Sequence, residues 1–192
     1  MTAKRLQVAA LSRFARQGYA ATSMSEIAAD VGIRKPSIYT HFRNKDDLFL
    51  SLIPVVITQE LEHAKSMIKG GEAVREQLFG YLNDIQLRYE KSHTVEFWLR
   101  NLFMPPAHLY ADVMAPLHTF MSELESIIYK AIEDSTLIPN DCQLDAGTIA
   151  VSYMSMVDSL QSELLYGGAE KYKRRLEALW LFFLAATKSS VG

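Results

Sequence analysis

Between residues 34 and 45 the sequence holds a dense group of side chains that could bind a polyanion. Four of them are cationic and four carry a hydroxyl or an imidazole group: Arg34, Lys35, Arg43, Lys45, Ser37, Tyr39, Thr40 and His41. Ammonium and guanidinium groups bind phosphate oxygens, and hydroxyl and guanidinium groups also hydrogen-bond the edges of bases. This segment therefore predicts contacts with the phosphates and bases of a nucleic acid.

The distribution of charge supports such a contact at one end of the chain. Residues 1–45 contain eight lysines and arginines and two acidic residues, a net charge of +6, whereas residues 46–192 have a net charge of −8. A basic segment on an acidic chain indicates a polyanionic partner for that segment. Chance clustering of charges on solvated helices is the alternative explanation.

Short helices are predicted to position these side chains. The first extends from about Ala3 to Gln17, because Leu6, Ala10 and Phe14 form an apolar stripe with helical spacing. Gly18 follows at the point where a residue in the left-handed conformation would end the helix.

A second helix is predicted to begin after Ser23. The Ser23 hydroxyl can accept from the backbone amide of Glu26, whose carboxylate completes a capping box. Gly32 ends this helix, and the next begins near Lys35, where Pro36 fits because its missing N–H has no helical partner in the first turn. Two helices joined by a tight glycine turn predict a helix-turn-helix, whose last helix enters the major groove.

The stretch from Leu6 to Leu48 resembles the DNA-binding domain of the TetR family of transcriptional regulators. The similarity is collinear, and it is carried by Ala9-Ala10, Phe14, Gly18-Tyr19, Thr22-Ser23-Met24-Ser25-Glu26-Ile27-Ala28, Val31-Gly32-Ile33-Arg34-Lys35 and Ile38-Tyr39-Thr40-His41-Phe42-Arg43-Asn44-Lys45. Two positions depart from the family's pattern. Arg13 adds a surface charge where an apolar residue is usual, and Pro36 replaces a small residue on the presented end of the recognition helix.

The resemblance and the side-chain chemistry together imply roles for the individual residues. Phosphate contacts are expected from Lys35, Tyr39, His41, Arg43 and Lys45, and from the backbone amides of Ser23 and Met24. Base contacts are expected from Arg34, Ser37 and Thr40, beside Pro36. For each of these residues a solvated surface side chain is the alternative.

The rest of the chain is also predicted to be helical. A fourth helix begins after Asn44 and extends towards Lys69, with a break near Ile53 because Pro54 interrupts the hydrogen bonding. Further helices are predicted at about 72–91, 94–103, 107–114, 116–133, 142–166 and 169–188. The predicted fold is all-α, with a helix-turn-helix domain over residues 1–47 and a helical effector-binding and dimerisation domain over residues 48–192.

Aromatic residues and methionines are concentrated in the middle of the chain. By resemblance, TetR-type proteins bind a small effector in this domain, so an apolar or amphipathic ligand is expected. The expected lining residues are Phe97, Trp98, Asn101, Phe103, Met104, Met121, Tyr153 and Asp158. An ordinary helical core is the alternative explanation of these residues, with Asp158 facing solvent.

The last two helices are predicted to form a dimer interface. The final helix is apolar nearly all round and must be covered on two sides, one of which a second copy of the chain covers most simply. The expected interface residues are Tyr153, Met156, Leu160, Leu164, Leu176, Leu179, Trp180 and Phe183. A two-fold dimer with one recognition helix per subunit predicts a palindromic operator.

Sequence signatures of other function classes are absent. The chain has no G-x-S-x-G, G-x-x-x-x-G-K, G-x-G-x-x-G or H-E-x-x-H motif, so neither enzymatic activity nor a cofactor is expected. His108, Asp112 and His118 have the spacing of a weak metal site, although no metal is expected there. The apolar runs are too short for a membrane span, and the single cysteine, Cys142, fits a reducing, cytoplasmic location.

The predicted function is that of a ligand-responsive, site-specific DNA-binding regulator that acts as a homodimer. A repressor released from its operator by the effector is the expected form. The alternative is a small-molecule binding protein whose helix-turn-helix no longer binds DNA specifically. Salt dependence separates the two, because non-specific binding to phosphates is lost steeply as salt rises.

Overall fold

The computed structural model describes residues 2–139 and 141–188, and over these residues the chain is helical, without strands. This confirms the predicted fold class. The α-helices are α1 (Thr2–Ala21), α2 (Met24–Val31), α3 (Lys35–Ile38), α4 (Lys45–Leu50), α5 (Ile53–Met67), α6 (Val74–Tyr89), α7 (His93–Phe97), α8 (Tyr110–Glu133), α9 (Ala146–Tyr166) and α10 (Gly168–Ala186). A π-helix (Trp98–Leu102) continues α7, and a 3₁₀-helix (Ala107–Leu109) precedes α8.

The first helix buries the predicted stripe of Leu6, Ala10 and Phe14. At Gly18 the backbone leaves the helical conformation, with φ 77° and ψ 171°. The predicted interruption is therefore present, although the ψ angle is extended rather than left-handed helical. A side chain at this position would be strained, because L-residues rarely adopt a positive φ.

The predicted break before Pro54 is also present. The helix α4 begins after Asn44, whose side chain accepts from the backbone amide of Asp47 at 2.8 Å. The break falls at Ser51 and Leu52, and Pro54 is the second residue of α5. Proline is tolerated there because the first-turn amides of a helix have no partner within the helix.

The predicted break at Pro116 is wrong. The helix α8 continues through this proline from Tyr110 to Glu133. Val113 and Phe120, on either side of the proline in sequence, are both buried. Packing of this kind can outweigh the one hydrogen bond that the proline removes, because tertiary contacts override local propensity.

The described chain divides into two compact units. The first comprises the chain up to Gln59 together with Tyr89–Thr119, and its core includes Phe14, Phe49 and Phe97. The aromatic ring of Phe14 packs edge-on against Phe49 at 5.2 Å and lies 6.4 Å from Phe97. Residues 89–119 are thus part of the same unit as the helix-turn-helix, and the predicted domain boundary at residues 47/48 remains a prediction.

The second unit comprises Glu60–Arg88 and the chain from Phe120 onward. Its core contains Tyr153 and Tyr172, whose hydroxyl groups donate to the backbone carbonyls of Leu78 and Leu82. These bonds satisfy two buried phenols and fix α9 and α10 against α6.

Candidate functional site

The local geometry of α2 sets the position of α3. The Ser23 hydroxyl accepts from the Glu26 backbone amide at 3.3 Å, and the Glu26 carboxylate accepts from the Ser23 backbone amide at 2.8 Å. At the other end, Gly32 is in the left-handed conformation with φ 75° and ψ 30°. The predicted capping box and glycine turn are both confirmed, and together they fix where α3 begins.

The predicted contact residues around α3 lie on an exposed surface. Ile38 is fully buried and Phe42 is 8% exposed, so that these two side chains hold α3 against the rest of the unit. The exposed residues are Arg34, Lys35, Pro36, Ser37, Tyr39, Thr40, His41 and Arg43. The structure therefore brings together the groups that the sequence identified as candidates for phosphate and base contacts.

These exposed residues differ in how far they are already engaged. Thr40 donates to the Ser37 carbonyl at 2.7 Å, and Arg43 forms an ion pair with Asp47 at 3.3 Å. Within the described residues, the side chains of Arg34 and Lys35 have no ion pair or hydrogen bond. Their cationic groups are thus available to an anionic partner without loss of an internal contact.

Lys45 is placed differently from the other cations. Its ammonium group donates to the carbonyls of Tyr19 and Thr22, at 2.9 and 3.0 Å, and lies 4.0 Å from the centroid of the Tyr19 ring. Two of its three hydrogens are therefore engaged within the unit. A phosphate contact by Lys45 remains a prediction, and it would use the third hydrogen of the ammonium group.

The predicted phosphate site at the start of α2 is also partly engaged. The backbone amide of Ser23 donates to Glu26, and the Met24 side chain is buried. Hydrogen bonds from Ser23 lower the pKa of the Glu26 carboxyl. A phosphate contact through these amides likewise remains a prediction.

Arg13, noted in the sequence only as an added surface charge, ties α1 to α2. Its guanidinium donates to Asp30 at 2.6 and 2.8 Å and to Glu26 at 3.1 Å. The hydrogen bonds from Arg13 lower the pKa of the Asp30 carboxyl. The unusual charge at Arg13 was visible in the sequence. Its partners, Glu26 and Asp30, lie 13 and 17 residues away, so the sequence did not indicate them.

Two side chains of the π-helix cap the end of α1. Asn101, which is 3% exposed, donates to the Phe14 carbonyl at 3.0 Å, and Arg100 donates to the Arg16 carbonyl at 2.7 Å. Carbonyls in the last turn of a helix lack partners within the helix, and the irregular backbone at Gly18 adds to that need. The π-helix therefore holds the end of α1 by hydrogen bonds that no sequence pattern indicated.

A third contact in this unit links the 3₁₀-helix to α4. The Nε2 atom of His108 lies 3.2 Å from a carboxylate oxygen of Asp46. The hydroxyl of Tyr19 donates a hydrogen bond to the same oxygen. The hydrogen bond from Tyr19 is the main cause that lowers the pKa of the Asp46 carboxyl, and His108 adds to it. His108 is thus engaged with a carboxylate of α4.

The predicted ligand-lining residues are distributed between the two units. In the first unit Phe97, Trp98 and Asn101 are buried, whereas Phe103 and Met104 are exposed. Asn101 and Met104 border a cleft of 280 Å³ that also touches Gly18 and Tyr19. In the second unit Tyr153 is buried, Met121 is partly buried and Asp158 is exposed. Contact between a ligand and these residues remains a prediction.

The predicted interface residues lie mainly inside the second unit. Tyr153, Met156, Leu160, Leu164, Leu176 and Phe183 are buried within it, and Leu179 and Trp180 are partly buried. The large apolar side chains exposed on α9 and α10 are Val151, Tyr166, Leu181 and Phe182, of which Phe182 is 77% exposed. These exposed side chains are close in sequence to the predicted interface residues, and the interface itself remains a prediction.

In the described part of the chain, no group of three or more histidine, cysteine, aspartate or glutamate side chains could hold a metal ion. Over the same residues, no helix has both the length and the apolarity that a membrane crossing requires.

Comparison with known proteins identifies the N-terminal segment. Residues 6–52 match the family model of bacterial regulatory proteins of the tetR family. The HTH-type transcriptional regulator YhgD of Bacillus subtilis is 24% identical over 78% of both chains. The fatty acid metabolism regulator protein of the same organism is 33% identical over 36% of both chains.

Solved structures agree over nearly the whole chain. FadR from Bacillus subtilis, in complex with stearoyl-CoA, superposes with a TM-score of 0.68 at 17% identity, covering 96% of this chain and 99% of that one. The SmeT–triclosan complex gives a TM-score of 0.73 at 16% identity, covering 100% and 94%. These TM-scores, at identities below 20%, establish a shared fold alone.

Three observations indicate a DNA-binding regulator. They are the helix-turn-helix geometry, the family match and the shared fold. The relatives are transcriptional regulators and not enzymes. Residues 6–52 therefore match the tetR family of bacterial regulatory proteins, and the chain shares its fold with solved structures of transcriptional regulators, a putative TetR-family regulator from Rhodococcus sp. among them.

Proposed function

We propose that this regulator binds a specific operator through the exposed residues around α3. The observation that carries the proposal is the pair of unengaged cations, Arg34 and Lys35, on a helix whose start is fixed by the capping box and the glycine turn. Phosphate contacts by Lys35, Tyr39 and His41 would orient the helix. Arg34, Ser37 and Thr40 would then contact bases, and an arginine can bind a guanine through two hydrogen bonds.

The operator is proposed to be palindromic and the regulator a homodimer. A two-fold dimer presents two equivalent recognition helices, and each occupies one half-site. Val151 on α9 and Leu181 and Phe182 on α10 are large apolar side chains that are more than half exposed, and they support a contact between two copies because it would remove them from water.

The effector is proposed to be an apolar or amphipathic small molecule. Stearoyl-CoA and triclosan are bound by FadR and SmeT, the two structural neighbours described above. Binding that displaces the π-helix would loosen the bonds from Asn101 and Arg100 to α1. A ligand that favours this arrangement would lower operator affinity by a population shift, as expected for a repressor.

Selection of bound DNA from a random pool tests operator recognition. The parent chain should recover one palindrome, and the variant Lys35→Ala/Tyr39→Ala should recover none. Lys69→Ala, a lysine of the second unit, serves as a control that should recover the parent's palindrome. Failure of the parent to yield any consensus would favour the alternative, in which the helix-turn-helix no longer binds DNA specifically.

The recovered operator then allows the effector class to be tested. Long-chain fatty acyl-CoA thioesters and free fatty acids should release the operator at concentrations that also raise the melting temperature of the protein. Stabilisation without release would contradict the proposed coupling between ligand and DNA.

A further inference from the structure

The helices α9 and α10 each present an exposed face with the same spacing. On α9 this face holds Val151, Ser155, Asp158 and the partly buried Ser162, and on α10 it holds Arg174, Ala178, Leu181 and Ala185. Both sets recur at positions i, i+4, i+7 and i+11, which lie on one side of a helix. Each face is apolar or small apart from a single charged residue.

The acidic residue on this surface, Asp158, has no ion-pair partner among the described residues of its own chain. The hydroxyls of Ser155 and Ser162 donate to the backbone carbonyls of Val151 and Ser159, so these serines need no outside partner. Within the described residues Asp158 has no cationic partner and no hydrogen bond. Although Asp158 is exposed, partial burial by its neighbours raises the pKa of this carboxyl.

The basic residue is in the complementary situation. Arg175 is engaged by Glu163 and Ser159, whereas Arg174 has no described partner. Arg174 borders a recess of 340 Å³ whose other lining residues are Lys171, Ala178 and the ion pair of Glu163 with Arg175. The recess has room for a carboxylate side chain from another molecule.

We propose that Asp158 of one subunit pairs with Arg174 of a second copy of this chain, and that these two pairs determine which chains dimerise with each other. The inference rests on the homodimer proposed above and specifies its polar contacts. A two-fold axis makes every contact occur twice, with residue i on j and j on i. A two-fold axis that places the unengaged acid of one copy opposite the unengaged base of the other therefore forms two identical pairs.

The cost of desolvating a charge favours pairing over simple apolar contact. Covering Asp158 with the apolar face of a partner would leave a carboxylate without water or a counter-ion, which is strongly unfavourable. An arginine can bind that carboxylate with two parallel hydrogen bonds, which also restrict the geometry. A related chain with a different residue at either position would leave a charge unpaired, so that the pair selects against mixed dimers.

Charge reversal in the full chain tests the pairing. Asp158→Arg and Arg174→Asp should each weaken dimerisation about tenfold or more, because each places like charges opposite one another. The double variant Asp158→Arg/Arg174→Asp should recover most of the parent's affinity, since the pair is restored with opposite polarity. Sedimentation velocity over a concentration series measures the dissociation constants, and circular dichroism checks the fold.

The matched control is Lys173→Asp, which reverses a charge on α10 outside the face and should leave dimerisation unchanged. Dimers of parent strength in both single variants would overturn the pairing while leaving the homodimer intact. Loss of dimers in the singles without recovery in the double variant would also overturn it. A parent chain that binds its operator as a monomer would instead contradict the homodimer itself.

Discussion

At the scale of single residues, two lysines of similar sequence context have different environments. Lys35 is exposed and unengaged, whereas Lys45 donates to two backbone carbonyls and lies over the Tyr19 ring. We expect Lys35→Ala to weaken operator binding across sequences and to reduce the salt slope by about 1, as loss of one phosphate contact does. Fluorescence anisotropy at several salt concentrations measures both quantities.

Lys45→Met should act first on stability. Loss of two charge-assisted hydrogen bonds and of the cation–π contact is expected to lower the free energy of unfolding by roughly 1–3 kcal/mol. Urea denaturation of the parent, Lys45→Met and Lys35→Ala measures whether Lys45 stabilises the fold and Lys35 does not. Equal stability of all three chains would show that the internal contacts of Lys45 contribute nothing measurable.

The candidate contact residues themselves could be predicted from the sequence, because their types and their exposure follow from the helix-turn-helix pattern. Their partners could not. Arg13 reaches Asp30 on the next helix, and Lys45 reaches Thr22 across 23 residues. Such contacts depend on how the helices pack, which the local sequence does not specify.

At the scale of the elements, helix ends were predictable because a cap is a local interaction. Ser23, Gly32 and Asn44 act where expected, since each needs only neighbours within a few residues. Pro116 and the π-helix were not predictable, because both depend on packing. Pro116 lies in a helix held by buried side chains, and the π-helix is held by Asn101 and Arg100.

The glycine turn gives a prediction with a matched control. Gly32 has a φ of 75°, so Gly32→Ala should destabilise the protein by about 1 kcal/mol through backbone strain. Gly80 lies within α6 with room for a methyl group, so Gly80→Ala should stabilise by roughly 0.5–1 kcal/mol. Thermal unfolding of both variants checks the opposite signs, and stabilisation by Gly32→Ala would refute the left-handed cap.

The π-helix gives a second prediction at this scale. Asn101→Leu should lower the free energy of unfolding by about 1–3 kcal/mol, because the carbonyl of Phe14 loses its buried donor. Asn83→Leu, an exposed asparagine on α6, is the control and should change stability little. If the cap also positions α1 for DNA, Asn101→Leu should reduce operator affinity at temperatures where the protein is still folded.

At the scale of the whole molecule, periodicity alone could not decide which side of α10 faces a partner. Its buried side carries Tyr172, Leu176 and Phe183, and its exposed side carries Leu181 and Phe182. Both sides are apolar, which is why the sequence predicted two covered faces. The interface residues predicted on α10 are buried or partly buried within the unit, and their contact with a partner remains a prediction. Only the packing of α10 within its unit distinguishes the two sides.

A substitution on the exposed side of α10 therefore tests the proposed homodimer. Phe182→Glu would place a carboxylate from each subunit in the proposed dimer contact, where like charges repel and apolar area is lost. Leu87→Glu, which changes a 45% exposed side chain on α6, is the matched control. The Phe182 variant should sediment as a monomer and should bind the full operator roughly 10²–10⁴-fold more weakly, because the two half-sites are no longer held by one molecule. Retained half-site affinity would show that the helix-turn-helix is intact, whereas a Phe182→Glu chain that remains dimeric would place the interface elsewhere.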